Sequence, residues 1–80
     1  MLTGLQIRAA LAMLQWTHAD LAKHSKISVP TIQRAASVDG VPDMRTHSLG
    51  SLRAALEKAG VVFLDSDDLK PGGQGARMKR

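Results

Sequence analysis

Apolar residues recur at helical spacing in four stretches of the chain, and the period then shortens. In the first stretch Leu5, Ala9, Ala12 and Met13 fall near one face, with Ile7, Leu11 and Leu14 on an adjacent one. So wide an apolar arc suits a helix that touches several neighbours. Thr3 stands at an N-cap position with Gln6 three residues on, a capping box, and Leu2 and Ile7 can staple across it. The same device recurs at Trp16-Thr17-His18-Ala19-Asp20-Leu21, where Thr17 caps and Asp20 closes the box. Ile27-Ser28-Val29-Pro30-Thr31-Ile32 starts a third helix, with Ser28 as cap, Ile27 and Ile32 as staple, and Pro30 in the first turn. Only His24-Ser25-Lys26 separates the second helix from the third. Leu21 and Ala22 point inward from one, Ile32 and Ala35 from the other. Helices this short are not stable alone, so they must pack on each other and on the rest of the chain.

Ser37-Val38-Asp39-Gly40-Val41-Pro42-Asp43 is turn chemistry. Periodicity returns at Thr46, a candidate N-cap. Leu49, Leu52, Leu56 and Ala59 form a stripe with Ala55 beside it, while Arg53, Glu57 and Lys58 face water. Gly60 fits the position after the helix that takes positive φ, with Val61 packing back on Leu56. Gly50 within this helix costs about 1 kcal/mol relative to alanine. Val61-Val62-Phe63-Leu64 is a β-favouring run with two apolar faces, neither suited to bulk water. An Asp-rich turn and Pro71-Gly72-Gly73-Gln74-Gly75 follow, and Ala76–Arg80 alternates well enough to return as a second strand, with a basic tail as the alternative. The pattern predicts a mainly α fold of about four helices (about 3–15, 18–24, 29–36 and 47–59) in a unit spanning 1–60. A C-terminal strand or hairpin with a basic tail occupies 61–80.

Composition narrows the partners. Eighty residues make one small domain. The absence of cysteine excludes disulfides and thiolate zinc sites and fits a reducing cytosol. No apolar run reaches the roughly 18 residues of a membrane span, and the first residues lack a secretion-signal pattern, so a cytoplasmic location is expected. The net charge of +4 favours a polyanion partner. Between Met1 and Arg34 the only acid is Asp20, against Arg8, Lys23, Lys26 and Arg34; Asp65, Asp67 and Asp68 cluster late.

A short rigid helix pair in a basic chain can hold its second helix in a DNA major groove. Val29, Pro30, Thr31, Gln33 and Arg34 are the expected outward positions of the third helix. Val29 and Pro30 offer apolar surface to a thymine methyl, Gln33 can address adenine and Arg34 guanine, and Thr31 can bond a base or a phosphate. Thr17 and His18, at the start of the second helix, are candidate phosphate contacts, joined by Lys26 and Ser28 around the turn. An ordinary solvated helix face is the alternative for Gln33 and Arg34. Enzymatic chemistry has little support. His18, His24 and His47 lack metal spacing, and no triad is evident. Asp65, Asp67 and Asp68 lack the glycine and distal glutamate of a calcium loop. Trp16 reads as a core staple. No cofactor, metal or small-molecule ligand is expected.

The stretch Thr17–Arg34 resembles the helix-turn-helix family of Cro and the phage lambda-type repressors, often called XRE-like. Ile7-Arg8-Ala9-Ala10, Leu11, Leu14, Trp16-Thr17, Leu21-Ala22, Ile27-Ser28, Pro30-Thr31-Ile32 and Arg34 carry the likeness. So do Arg53-Ala54-Ala55-Leu56-Glu57 and Ala59-Gly60-Val61 with Phe63, and the likeness spans about residues 2–64. It implies a small DNA-binding regulator whose third helix enters the major groove, with Val29, Pro30 and Arg34 at base edges and Thr17 and His18 at the backbone. Four positions depart from the family pattern. His18 stands where glutamine is usual, Lys26 where glycine is usual in the turn, and Ala35 and Ala36 where leucine and glutamate are usual. The family's fourth and fifth helices look merged into one.

The resulting expectation is a sequence-specific double-stranded DNA-binding regulator, a repressor acting as a homodimer on a palindromic operator, with Val61, Val62, Phe63 and Leu64 helping to make the dimer. RNA polymerase is a further candidate partner. The alternative is a protein-interaction module, an antiactivator or antitoxin-like protein on the same fold.

Overall fold

In a computed structural model of the chain the described residues are 2–64 and 75–78, with side chains described as far as Phe63. Four helices, α1 (Gly4–Leu14), α2 (His18–Ser25), α3 (Val29–Ala36) and α4 (Thr46–Lys58), precede two strands, β1 (Val61–Leu64) and β2 (Gly75–Met78). The strands pair antiparallel, Val61 opposite Met78 and Leu64 opposite Gly75. The expected return strand therefore forms one residue earlier than its pattern suggested. The Asp-rich turn and most of the glycine-rich segment lie outside the described residues, as do Lys79 and Arg80. No helix among the described residues is long and apolar enough to cross a membrane.

The helix starts are set locally. Thr3 Oγ1 accepts from the Gln6 N–H (3.1 Å) and Gln6 Oε1 accepts from the Thr3 N–H (3.0 Å), both side chains being buried. Thr17 and Asp20 exchange the equivalent bonds at 3.1 and 2.8 Å. α1 ends at Gln15 (φ 57°) and α2 at Lys26 (φ 64°), both left-handed; α4 is followed by Gly60 at φ 109°. Two expected caps differ. Ser28 is the N-cap of α3 by backbone, but its hydroxyl bonds Thr31 Oγ1 (2.8 Å) and no helix N–H. Pro30 in the first turn already removes one orphan donor, which lessens the need for a side-chain cap. At α4 the N-cap is Arg45, and Thr46 is the first helical residue.

One core joins the elements. Ile7, Ala10 and Leu11 of α1 meet Leu21 of α2, Ile32, Ala35 and Ala36 of α3, Leu49, Leu52 and Leu56 of α4, and Val61 and Phe63 of β1. Of the two adjacent apolar faces expected of α1, the one bearing Ile7 and Leu11 is buried, whereas on the other Leu5 is 47% exposed and Ala12 is exposed; Gln6 is buried. The choice of face follows from Gly4. A Cβ there would lie 1.9 Å from the Val38 carbonyl oxygen and 2.5 Å from that of Ala35. The Gly4 N–H donates to the Gly40 carbonyl at 2.9 Å. Arg8, one turn on, donates to the Ala36 (2.6 Å) and Val38 (3.1 Å) carbonyls and pairs with Asp39. Arg53 does not simply face water: it bonds Glu57 at 3.2 Å and its guanidinium lies 5.4 Å from the Phe63 ring centroid.

The two helical glycines should respond in opposite directions to alanine. Gly4→Ala meets backbone oxygen and is expected to destabilise by about 3 kcal/mol. Gly50→Ala meets nothing within 4 Å and should stabilise by about 1 kcal/mol through helix propensity. Urea midpoints measure both, and a Gly4→Ala protein as stable as the parent would mean that α1 does not start against the end of α3.

Candidate nucleic-acid interface

The candidate surface is the outer side of α3. Its inner face, Ile32, Ala35 and Ala36, is buried against the other helices. The outer face carries Pro30, Gln33 and Arg34, all exposed, with Val29 and Thr31 half-buried at its edge. The five sequence-expected base-contact residues thus lie on the side of the helix away from Ile32, Ala35 and Ala36, from its first residue to Arg34 in its last turn. Thr31 is less free than expected, because its hydroxyl is shared with Ser28. Ser37 closes the far end of the helix by donating to the Arg34 carbonyl at 2.7 Å. Arg34 also borders an open cavity of about 360 Å³ lined by Thr31, Val38, Pro42, Asp43 and Met44. Asp43, which sequence reasoning did not single out, places a carboxylate on the same cavity as this guanidinium. Its position in a turn, without helical periodicity, gave no signal of that.

Around α3 the candidate phosphate contacts divide into two groups. Lys26 and Ser28 are exposed in the α2–α3 turn, whereas His18 is half-buried at the opposite end of α2, its first residue. Lys26 in particular has no ion-pair partner among the described residues. Thr17 is exposed, but both its N–H and its hydroxyl are engaged with Asp20. The Asp20 carboxylate is already the anion that the positive end of α2 favours. A phosphate approaching that end meets His18 and the exposed Ala19 backbone rather than a free Thr17 N–H.

Charge is sorted by pairing. Asp20 closes the α2 cap, Asp39 pairs with Arg8, and Glu57 with Arg53. Arg8, counted in the basic excess of the first helices, is therefore engaged in joining α1 to the end of α3. Lys23, Lys26, Arg34, Arg45 and Lys58 are left exposed. No group of three or more His, Cys, Asp or Glu side chains among the described residues is arranged to hold a metal ion. Trp16 is half-buried rather than closed in the core, and its ring stacks on His24 with centroids 4.5 Å apart and planes 9° from parallel. The staple expected between Trp16 and the first turn of α2 reaches one turn further.

Of the four residues expected at a dimer contact, Val61 and Phe63 are buried in the chain's own core. They pack into that core beside α4 and offer no face to a second copy. Val62 is half-buried on the opposite side; the Leu64 side chain lies outside the described residues.

The α2 cap has a definite pH signature. Hydrogen bonds from the Thr17 N–H, then from the Thr17 hydroxyl, lower the Asp20 pKa from 3.8, with smaller help from His24 and Lys23. A depressed carboxylate stabilises the fold above its unfolded value, and this contribution is lost as pH falls through the folded one. Thermal melts of the parent and Asp20→Asn should therefore differ at neutral pH and converge as pH drops below 3.8. A constant gap down to strong acid would show that the charge does not matter to the cap.

Set beside known proteins, the chain matches no protein-family model and no curated protein.

Proposed function

We propose that this chain is a sequence-specific double-stranded DNA-binding regulator of transcription, a repressor that places α3 in the major groove and binds a palindromic operator as a homodimer. The observation that carries this reading is the two-sidedness of α3. Its inner face is fixed by Ile32, Ala35 and Ala36, while Pro30, Gln33 and Arg34 stand bare beside the exposed ammonium of Lys26. Rigid support behind and uncommitted donors in front are what base-edge recognition requires. The resemblance of Thr17–Arg34 to the Cro and lambda-type repressor family supports the same reading. A single α3 spans only a few base pairs, so a two-fold pair with helices about 34 Å apart accounts for a longer operator.

A second reading, a protein-interaction module, draws support from Leu5, Val38 and Val41. These are the exposed large hydrophobic side chains among the described residues. The Gly4–Gly40 hydrogen bond draws their segments together.

Selection of duplexes from a random pool, followed by binding at graded salt, separates the two. DNA recognition predicts a selected palindrome and a steep loss of affinity with salt through counterion release. Arg34→Ala should weaken binding by about 1–3 kcal/mol at the operator and relax discrimination at one base position. Lys26→Gln should weaken all sequences alike and reduce the salt slope by about 1. A chain that enriches no duplex and shows no salt-dependent binding is not a DNA reader, and the protein-interaction reading then stands.

A further inference from the structure

A second cavity, of about 470 Å³, opens where the C-terminal ends of α1, α2 and α4 meet, lined by Leu14, Trp16, His24, Ala55, Lys58 and Ala59. From its chemistry we infer that it binds a small planar aromatic carboxylate. Its volume lies within the range of about 300–1,000 Å³ typical of small-molecule sites. Ala55 and Ala59, one turn apart on the α4 side, leave the space that larger residues would fill. Leu14 adds apolar surface. Trp16 and His24, stacked on each other, both line the cavity, so a planar ring entering it meets aromatic surface and gains edge-to-face or offset contact.

The polar groups select the sign of the ligand. Lys58 is exposed, has no ion-pair partner among the described residues, and is a lining residue whose ammonium is within side-chain reach of a ligand carboxylate. No acidic residue lines the cavity, and the neighbouring Glu57 is held by Arg53. The helix C-termini oppose an anion through their carbonyl ends. That effect is reduced because the carbonyls of Ala22, Ala55, Leu56 and Glu57 are already bonded by the N–H groups of Lys26, Ala59 and Gly60. A neutral ring would gain the stacking without the ion pair, and an aliphatic acid the ion pair without the stacking. A planar aromatic carboxylate uses both.

The chain has one tryptophan and no tyrosine, so its intrinsic emission reports on this cavity. Titration of the full chain with benzoate, without DNA, should change Trp16 emission saturably. Benzamide and cyclohexanecarboxylate should bind about tenfold more weakly, each lacking one of the two interactions. Lys58→Gln should lower benzoate affinity to the level of benzamide while leaving the thermal melt unchanged. Amide NMR shifts induced by benzoate should centre on Trp16, His24, Ala55 and Ala59. The inference is overturned by no saturable response, by equal affinity for all three probes, by a Lys58→Gln protein that binds benzoate as the parent does, or by shifts centred elsewhere. None of these outcomes depends on whether the chain reads DNA.

Discussion

The fold depends on one close approach, that of Gly4 to the end of α3. α3 has eight residues, too few to be stable by its own hydrogen bonds, and its last carbonyls would otherwise be orphans. The first residue of α1 lies directly on this end, near enough that no side chain fits between them. Arg8 then supplies a cation to the Ala36 and Val38 carbonyls, where the helix dipole favours positive charge. α3 is thus held along its inner stripe by Leu21 and its neighbours and at its C-terminal end by α1. Its outer face and N-terminal entry need no further support, and this is why Gln33 and Arg34 can stand uncovered.

What was legible in the sequence was what is decided within a few residues. The Thr3–Gln6 and Thr17–Asp20 boxes place two helix starts because donor and acceptor are three positions apart in the same chain segment. Gly60 is readable as a positive-φ position for a similar reason, standing where a helix has to stop, whereas at Lys26 only the family likeness, with glycine usual there, points to a left-handed residue. The misreadings concern partners distant in sequence. α1 is apolar on nearly every side, so periodicity alone could not say which side Gly4 would press against the α3 end, and Leu5 was placed inward. As a charge, Arg8 enters the sequence reading only as part of the basic excess, because Asp39 and the carbonyls it bonds lie about 30 residues away. Two apolar faces on Val61–Leu64 correctly demanded cover. They did not say that the chain's own core, α4 included, would supply it for Val61 and Phe63. The Trp16–His24 stack was hidden because it crosses a helix cap, where no fixed period relates the two positions.

The same pairing that builds the fold sorts its charge. Acids that cap α2, join Arg8 and join Arg53 are engaged locally. The positive excess is thereby concentrated on side chains without such ties, among them Lys23, Lys26 and Arg34 on or beside the helix pair. The sorting is incomplete in two places that matter to anion binding. Asp20 occupies the positive end of α2, and Asp43 shares a cavity with Arg34. Each lowers the attraction for phosphate at its own position. The cationic field of the helix pair is therefore weighted toward the turn between α2 and α3.

Lys26 opens that turn as the C-cap of α2. Its backbone is left-handed at φ 64°, a conformation that disfavours any residue with a Cβ by about 1 kcal/mol. Glycine would relieve the strain, but it would also remove the ammonium and loosen the unfolded chain. With lysine, the N–H still closes α2 on the Ala22 carbonyl at 2.8 Å, while Ser25 Oγ accepts the Ile27 N–H at 3.2 Å and tightens the turn into α3. The strained residue thereby holds an exposed positive charge at the entry of α3, on backbone bonded on both sides. A long side chain there searches little space beyond its own rotamers. For contact with a phosphate, that fixed attachment helps offset the conformational strain, because less freedom remains to be lost on binding.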